Sequence, residues 1–408
     1  MKRLNVFLHR GPGDVQTVGQ LAEKGSCLFF EYDLGFLHKP LWLSPFKLPP
    51  EPGLHEHTDH AFGPIFGLFD DSLPDGWGLL LMDRFFRKKG IDPARISVLD
   101  RLAFLGNDTM GALTYQPAAP IIKDDVPFDL QGLAEESRQV LTGKTNTVLP
   151  RLMRAGGSPA GARPKVLIGV NGNILISGET DLPSGFEHWI VKFAAVNDFK
   201  DSGPLEYAYS LMAREAGIRM PKTRLFETVD GQSFFGVKRF DRKNNHRFHV
   251  HTFGNLIHAN FRIPCSDYED LFKIINVLTR NNQDLLAGFR MMLFNILAHN
   301  RDDHVKNFSF IMNDDGEWNL APAYDLTYAP GPGGEHSMTV LGEGRYPGQE
   351  EVLQVGVRAG LTRKDVTQVL DEVCAAVSRW NFHAAQADLL PRTRSFIASA
   401  IKENLNRM

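Results

Sequence analysis

The pattern of apolar and polar positions changes character twice along the chain. Up to about residue 120, apolar runs such as Val6-Phe7-Leu8 and Cys27-Leu28-Phe29-Phe30 alternate with Gly- and Pro-rich stretches, which predicts short strands separated by turns. One helix interrupts them: Leu79, Leu80, Met82, Phe85 and Phe86 recur at helical spacing between Asp75 and Lys89, and Gly90 closes the run. Asp124 to Thr147 is more polar, with a single helix-like stretch, Leu130 to Leu141. From about 148 the pattern turns to strands. Val166–Val170 and Ile174–Ile176 flank Asn171-Gly172-Asn173, a good hairpin signal, and Trp189–Phe193 follows. A helix over Leu205–Ala216 ends at Gly217 with Pro221 beyond, and Phe234–Phe240 is a further strand. After about 250 the chain reads as mainly helical. Asp284 to His299 carries Leu285, Leu286, Phe289, Leu293, Ile296 and Leu297 on one face, and helical patterns return at 363–380 and 392–405.

This order predicts an α+β protein with a protein-kinase-like two-lobed body. The expected divisions are an N-terminal β-rich subdomain at 1–120, a linker at 121–147, a small lobe at 148–245 and a helical catalytic lobe at 246–408. A length of 408 residues suits two or three domains and a sizeable core. The net charge of −3 offers no bulk attraction for nucleic acid. Three distant cysteines, Cys27, Cys265 and Cys374, read as reduced core thiols. The N-terminus lacks a long apolar h-region, and no run approaches the ~18 apolar residues that span a bilayer. A cytoplasmic enzyme without a membrane partner is the expectation.

The richest chemistry lies in Asn300-Arg301-Asp302-Asp303-His304-Val305-Lys306-Asn307 and the segment after it. The helix ending at His299 makes 300–307 a loop on a rigid support. Phe308–Met312, the turn Asn313-Asp314-Asp315-Gly316 and Trp318–Leu320 form a hairpin, which returns Asp325 to the loop that holds Asp302 and Asn307. Phosphoryl transfer needs a carboxylate to orient the attacking hydroxyl, an Asn oxygen and a second carboxylate for Mg²⁺, and a cation for the phosphates. Asp302 and Asn307 have the spacing of the protein-kinase catalytic loop, and Asp325 stands for the metal-binding Asp, in Tyr-Asp-Leu rather than Asp-Phe-Gly. Taken singly, such Asp and Asn residues are more often loop caps and turn formers than ligands; His304 alone reads as structural.

Two features could serve the nucleotide. Gly156 to Lys165 is rich in small residues, so its backbone N–H groups could approach an anion, although Ala162 stands where a Walker A lysine is required. Lys192 lies in an otherwise apolar strand. Either that strand is an edge with the ammonium in water, or Lys192 is buried and an anion offsets its desolvation. His246, His249, His251 and His258 read as polar contacts rather than metal ligands, since no Cys or metalloprotease motif accompanies them.

These residues resemble the HipA family, the kinase toxins of bacterial type II toxin–antitoxin modules. The resemblance rests on Gly157–Lys165, Val191-Lys192-Phe193, Lys238-Arg239-Phe240-Asp241-Arg242, Asn300–Asn307 with Ala321–Leu326, and Phe69-Asp70-Asp71-Ser72-Leu73-Pro74-Asp75-Gly76. It implies Asp302 as catalytic base and Asn307 and Asp325 as Mg²⁺ ligands. It implies ATP contacts from Ser158, Ala160, Gly161, Ala162, Lys192, Lys238, Arg239, Phe240, His304, Lys306 and Asn307. Ser158 matches the serine that family members autophosphorylate, which expels the loop and silences the kinase. The family's targets are aminoacyl-tRNA synthetases. Its usual partner is a small HipB-like helix-turn-helix antitoxin, through which DNA is reached indirectly. The sequence departs from the better-studied members at His249-Val250-His251-Thr252, and Glu206 is the residue placed to pair with Lys192. A small-molecule kinase, or a silent regulator acting by binding an antitoxin and operator DNA, are the alternatives that the residues leave open.

Overall fold

The computed structural model describes residues 2–118, 128–144, 150–156, 161–178, 181–228 and 231–408. They fall into two compact units. One comprises Met1–Asp198, Thr228–His251 and Asn255–His258; the other comprises Phe199–Glu227, Thr252–Gly254 and Ala259–Met408.

Among its described residues, the first unit holds two large antiparallel sheets. In one, β1 (Lys2–Gly11), β2 (Asp14–Lys24), β3 (Cys27–Tyr32), β4 (Leu54–Glu56) and β5 (Leu113–Gln116) lie in the order β4-β3-β2-β1-β5. The strands at its centre are longer than expected, at 10 and 11 residues. Leu4, Val6 and Leu8 face the core on alternate positions, so Asn5 continues the strand rather than ending it. The helix expected over Asp75–Lys89 is Gly76–Lys88. A capping box between Ser97 and Asp100 starts a second helix, Val98–Leu105, which the apolar pattern alone does not reveal.

The second sheet is built from β6 (Lys165–Asn171), β7 (Ile174–Ser177), β8 (Glu187–Lys192) and the strand Ser233–Lys238. The Asn171-Gly172 hairpin forms as expected, with Gly172 at φ +58. β8 pairs with β6 on one side and Ser233–Lys238 on the other, so Lys192 is not on an edge. The helix Leu130–Leu141 forms with Asp129 as its cap; residues 121–127 and 145–147 of the expected linker lie outside the described residues.

A buried ionic knot ties the motif Lys238–Arg242 to the loop before β5. Asp241 accepts from Arg239 Nε and Nη2 at 2.9 and 2.7 Å, from Arg242 Nη1 at 2.7 Å and from the Gly111 N–H at 2.9 Å. Arg242 also donates to the carbonyls of Gly111 and Thr109. Burial pushes the Asp241 carboxyl up, but the two guanidiniums outweigh it and hold the group well below the usual carboxylate range.

In the second unit the helix Asn282–Leu297 is central, as its apolar face predicts. It packs against Tyr268–Thr279, Arg363–Ser378 and Pro391–Leu405. The run 363–380 breaks at Arg379, and Trp380–Gln386 follows as a separate helix. Trp380, 2 % exposed and donating to the Arg394 carbonyl, is the anchor that turns the chain. All three cysteines are unpaired. Cys265 corrects the expectation of core thiols: it is exposed, in the irregular stretch before Tyr268. Among the described residues no helix is long and apolar enough to cross a membrane.

Two stability predictions follow from the first unit. Asp241→Asn leaves two buried guanidiniums facing a neutral amide and costs about 3–5 kcal/mol, read by urea unfolding. Burial draws His188, His249 and His258 down to pKa values of about 4. They are neutral when folded, whereas the unfolded chain takes up their protons below about 6.5. Their contribution is therefore whole above pH 6.5 and lost as pH falls toward 4; the urea midpoint should drop over that window, and less steeply in His249→Gln.

Candidate active site

The central helix ends against three constraints. His299 takes φ +56, the left-handed position after a helix that glycine usually fills, and the Asn300 N–H donates back to the Asn295 carbonyl at 2.9 Å. The His299 ring lies flat on Tyr328, centroids 5.2 Å apart. Asn300 Nδ2 donates to Asn295 Oδ1 at 2.9 Å, and Asn295 Nδ2 donates to the Tyr268 hydroxyl at 3.1 Å. The chain therefore leaves the helix in one direction, bridged in parallel to Ala329.

The next three residues alternate in burial. Arg301 is 7 % exposed, Asp303 is 0 % exposed, and Asp302 between them is exposed. Arg301 donates to the carbonyls of Gly334 and, at 2.9 Å, Arg345. Its own carbonyl accepts from the Ser337 hydroxyl at 3.1 Å. Asp303 accepts from the Tyr268 hydroxyl at 2.6 Å, His336 Nδ1 at 2.8 Å and the Ser337 N–H at 2.8 Å. Both neighbours of Asp302 are thus fastened to the segment 331–346, and Asp302 is held outward. Sequence reasoning left Asp303 as an ambiguous neighbour. Its partners lie 33 to 35 residues away, so spacing within the motif carries no signal of them.

Asn307 donates from Nδ2 to the Asp302 carbonyl at 2.6 Å. The amide nitrogen is spent on holding the loop, and the amide oxygen is the atom suited to a hard cation. His304 caps the short turn Val305–Asn307, its Nδ1 accepting from the Lys306 N–H at 3.3 Å. The Lys306 ammonium lies 4.8 Å from the centre of the Phe261 ring. The hairpin forms over Ser309–Met312 and Trp318–Leu320, with Asn313 Oδ1 accepting from the Asp315 and Glu317 N–H groups in the turn. Beyond it, buried Asp284 accepts from Arg219 at 2.7 Å and from the Leu320 N–H at 3.0 Å, and the Ala323 N–H donates to the Arg219 carbonyl. The Tyr324 hydroxyl donates to the Lys306 carbonyl at 2.7 Å. Asp325, half-buried at φ +53, therefore follows a residue hydrogen-bonded directly to the loop. Asp carboxylates and an Asn oxygen are hard oxygen donors of the kind magnesium takes.

In the first unit, Lys192 is 9 % and Lys165 is 5 % exposed, and they are direct partners across β6 and β8. Paired residues share one face, so two lysines stand side by side there. Lys192 lies 5.7 Å from the Phe235 ring, its partner on the other flank. Lys165 was not singled out by sequence; its alignment with Lys192 is set by strand register alone. Gly161 and Ala162 lie in the bend just before β6, with Gly161 at φ +99, whereas Ser158 and Ala160 lie outside the described residues. Lys238 pairs with Glu187 at 2.5 Å, and the Arg239 guanidinium is spent on Asp241. The Arg239 N–H is likewise spent, on the His188 carbonyl at 2.9 Å; Phe240 is half-buried. The histidines have structural partners: His249 bonds the Leu43 carbonyl at 2.9 Å, His251 bonds Asp71 and Ser44, and His258 accepts from the Gly67 N–H at 3.0 Å. Glu206 is buried on the helix Ser202–Glu215 of the second unit.

Asp303→Ala strands a buried phenol, an imidazole and an N–H at once. It should cost about 3–5 kcal/mol in urea unfolding, whereas Tyr268→Phe, which removes one donor, should cost about 1–2 kcal/mol.

Comparison with known proteins bears on this arrangement. The HipA N-terminal domain family matches residues 4–116, and the HipA-like C-terminal domain family matches residues 157–380. A putative kinase of Sinorhizobium fredii, Y4mE, is 27% identical over 389 residues, covering 85% of this chain and 86% of its own length. A second from the same organism, putative kinase Y4dM, is 27% identical over 276 residues, or 63% of this chain and 61% of its own. Among solved structures, HipA of the Shewanella oneidensis toxin–antitoxin system, in complex with HipB and its operator DNA, superposes with a TM-score of 0.71. It is 20% identical, over 99% of this chain and 96% of that one. The fold is thus that of HipA, with a sheet-rich kinase-like lobe and a helical lobe. With both domains matched, the second match spanning more than half of the chain, this chain belongs to the HipA family.

Proposed function

We propose that the chain is an ATP-dependent protein serine/threonine kinase that acts as a toxin. The observation that carries the reading is the catalytic loop itself: exposed Asp302 between two buried, fastened neighbours, with its carbonyl held by Asn307. Asp302 orients the attacking hydroxyl and accepts its proton as the oxygen–phosphorus bond forms and ADP leaves. Magnesium, when bound by Asn307 and Asp325, offsets charge on the phosphates. Lys192, with Lys165 beside it, takes the nucleotide phosphates, together with the backbone near Gly161 and Ala162. Two adjacent buried lysines are the arrangement that receives a polyanion. Lys238 to Phe240, His304 and Lys306 complete the nucleotide contacts, and Ser158 is the residue that the chain phosphorylates on itself.

The division into an N-terminal subdomain at 1–120, a linker at 121–147, a small lobe at 148–245 and a catalytic lobe at 246–408 belongs to this reading. The likeness to the Shewanella HipA supports a HipB-like helix-turn-helix antitoxin as partner, with DNA reached through it. A protein target, an aminoacyl-tRNA synthetase by family resemblance, and a cytoplasmic location complete the proposal.

Purified chain with γ-labelled ATP and magnesium should place label on a protein hydroxyl, with the Ser158 peptide among the products. Asp302→Asn should lower the rate by about 10²–10⁴-fold, and EDTA should abolish it. Label found solely on a small metabolite would mean a small-molecule kinase. Expression should arrest growth while Asp325→Ala should not, and equal arrest by both would mean that toxicity is by binding.

A further inference from the structure

The motif Phe69–Gly76 marks the family resemblance, yet nothing in the chemistry above uses it. Its contacts, all within the first unit, point in two directions. Asp71 accepts from His251 Nδ1 at 2.5 Å and from Asn255 Nδ2 at 2.7 Å, and Asp70 accepts from the same Asn255 amide at 3.0 Å. The other end of the motif faces the start of β6. Asp75 precedes the helix Gly76–Lys88 but makes no side-chain cap to it; its carboxylate accepts instead from the Gly161 N–H. The Trp77 N–H donates to the Gly161 carbonyl at 3.1 Å, and Trp77 Nε1 donates to the Lys165 carbonyl at 3.2 Å. Trp77 is 1 % exposed. The two backbones meet so closely that a Cβ added at Gly76 would lie 2.6 Å from Ala162 Cα and 2.9 Å from the Gly161 oxygen. Gly161 is constrained by its backbone, at φ +99, whereas a Cβ there would meet the flexible tip of Lys165, Nζ at 2.3 Å.

We infer that Asp75, Gly76 and Trp77 are positioning residues for the nucleotide: they fix the backbone of Gly161 and Ala162 and the strand position of Lys165, so that phosphate affinity depends on the N-terminal subdomain. The inference rests on the kinase reading above. Three hydrogen bonds from one helix start reach both ends of the five-residue stretch Gly161–Lys165. The carboxylate of Asp75 serves as an acceptor for an N–H, a role that an amide oxygen can fill equally well. A helix N-terminus alone would favour anions in general; here its cap is diverted to hold another segment. Residues 70 and 71 hold the same motif to His251 and Asn255, so the bracket is anchored at its far end.

The test is ATP affinity, read by titration of a fluorescent ATP analogue with magnesium, alongside kcat and thermal unfolding without nucleotide. Asp75→Ala should weaken ATP binding by about tenfold, the loss of one hydrogen bond, with kcat changed less than KM. Asp75→Asn should restore affinity to near the wild type, which a mere loss of charge or of general stability would not do. Trp77→Phe, which deletes the Nε1–H donor together with part of the buried ring, should weaken binding by a few-fold, with thermal unfolding reading the lost packing, and supplies the answer if Asp75→Ala fails to fold. Wild-type affinity in both Asp75→Ala and Trp77→Phe would overturn the bracket while leaving the kinase reading intact. Absence of ATP binding by the wild type would overturn both.

Discussion

A carboxylate with no solvent exposure must have its charge answered within the protein, and Asp303 is answered by a phenol, an imidazole and a backbone N–H from three different positions. Removing any one leaves a buried polar group short, a cost comparable to a fair part of a domain's net stability. That requirement fixes where Tyr268, His336 and Ser337 lie around residues 300–307. It also fixes Asp302, since a residue between two buried, fastened neighbours has few places to point. Arg301 adds a second attachment to the same segment through the Gly334 and Arg345 carbonyls. Backbone carbonyls occupy that arginine, so the order of this attachment is built into the chain.

The first unit follows the same logic with a different carboxylate. Asp241 lies between Arg239 and Arg242, and all three are buried with the Gly111 backbone. Such a knot contributes little net stability compared with apolar packing, but breaking it is costly, so it specifies one arrangement. Its consequence is that Arg239, within the motif Lys238–Arg242, has its guanidinium committed to Asp241. Asp75 is a third case, a carboxylate that leaves its own helix uncapped to hold Gly161.

Much of the architecture was legible because local patterns were strong. The hairpin at 309–320 was written in two apolar runs around Asn-Asp-Asp-Gly, the helix 282–297 in its apolar face, and the helix 130–141 in a pattern with matching ends. The short helix Val98–Leu105, only 8 residues long and opened by a capping box, escaped. So did the break at Arg379, which depends on where Trp380 finds a pocket. The spacing of Asp302 and Asn307 was visible because both lie in one loop, and Asp325 because one hairpin connects it.

The sequence by itself determined the α+β class and the family, because these rest on periodicity and on residue types within short segments. Only the tertiary structure decided that Lys165 stands beside Lys192, that Asp303 is an anchor and Asp302 is not, and that Asp75 serves Gly161. The physical reason is the same in each case. Burial and hydrogen-bond partners are set by residues tens of positions away, and a charged side chain reads identically in sequence whether water or a distant partner will satisfy it.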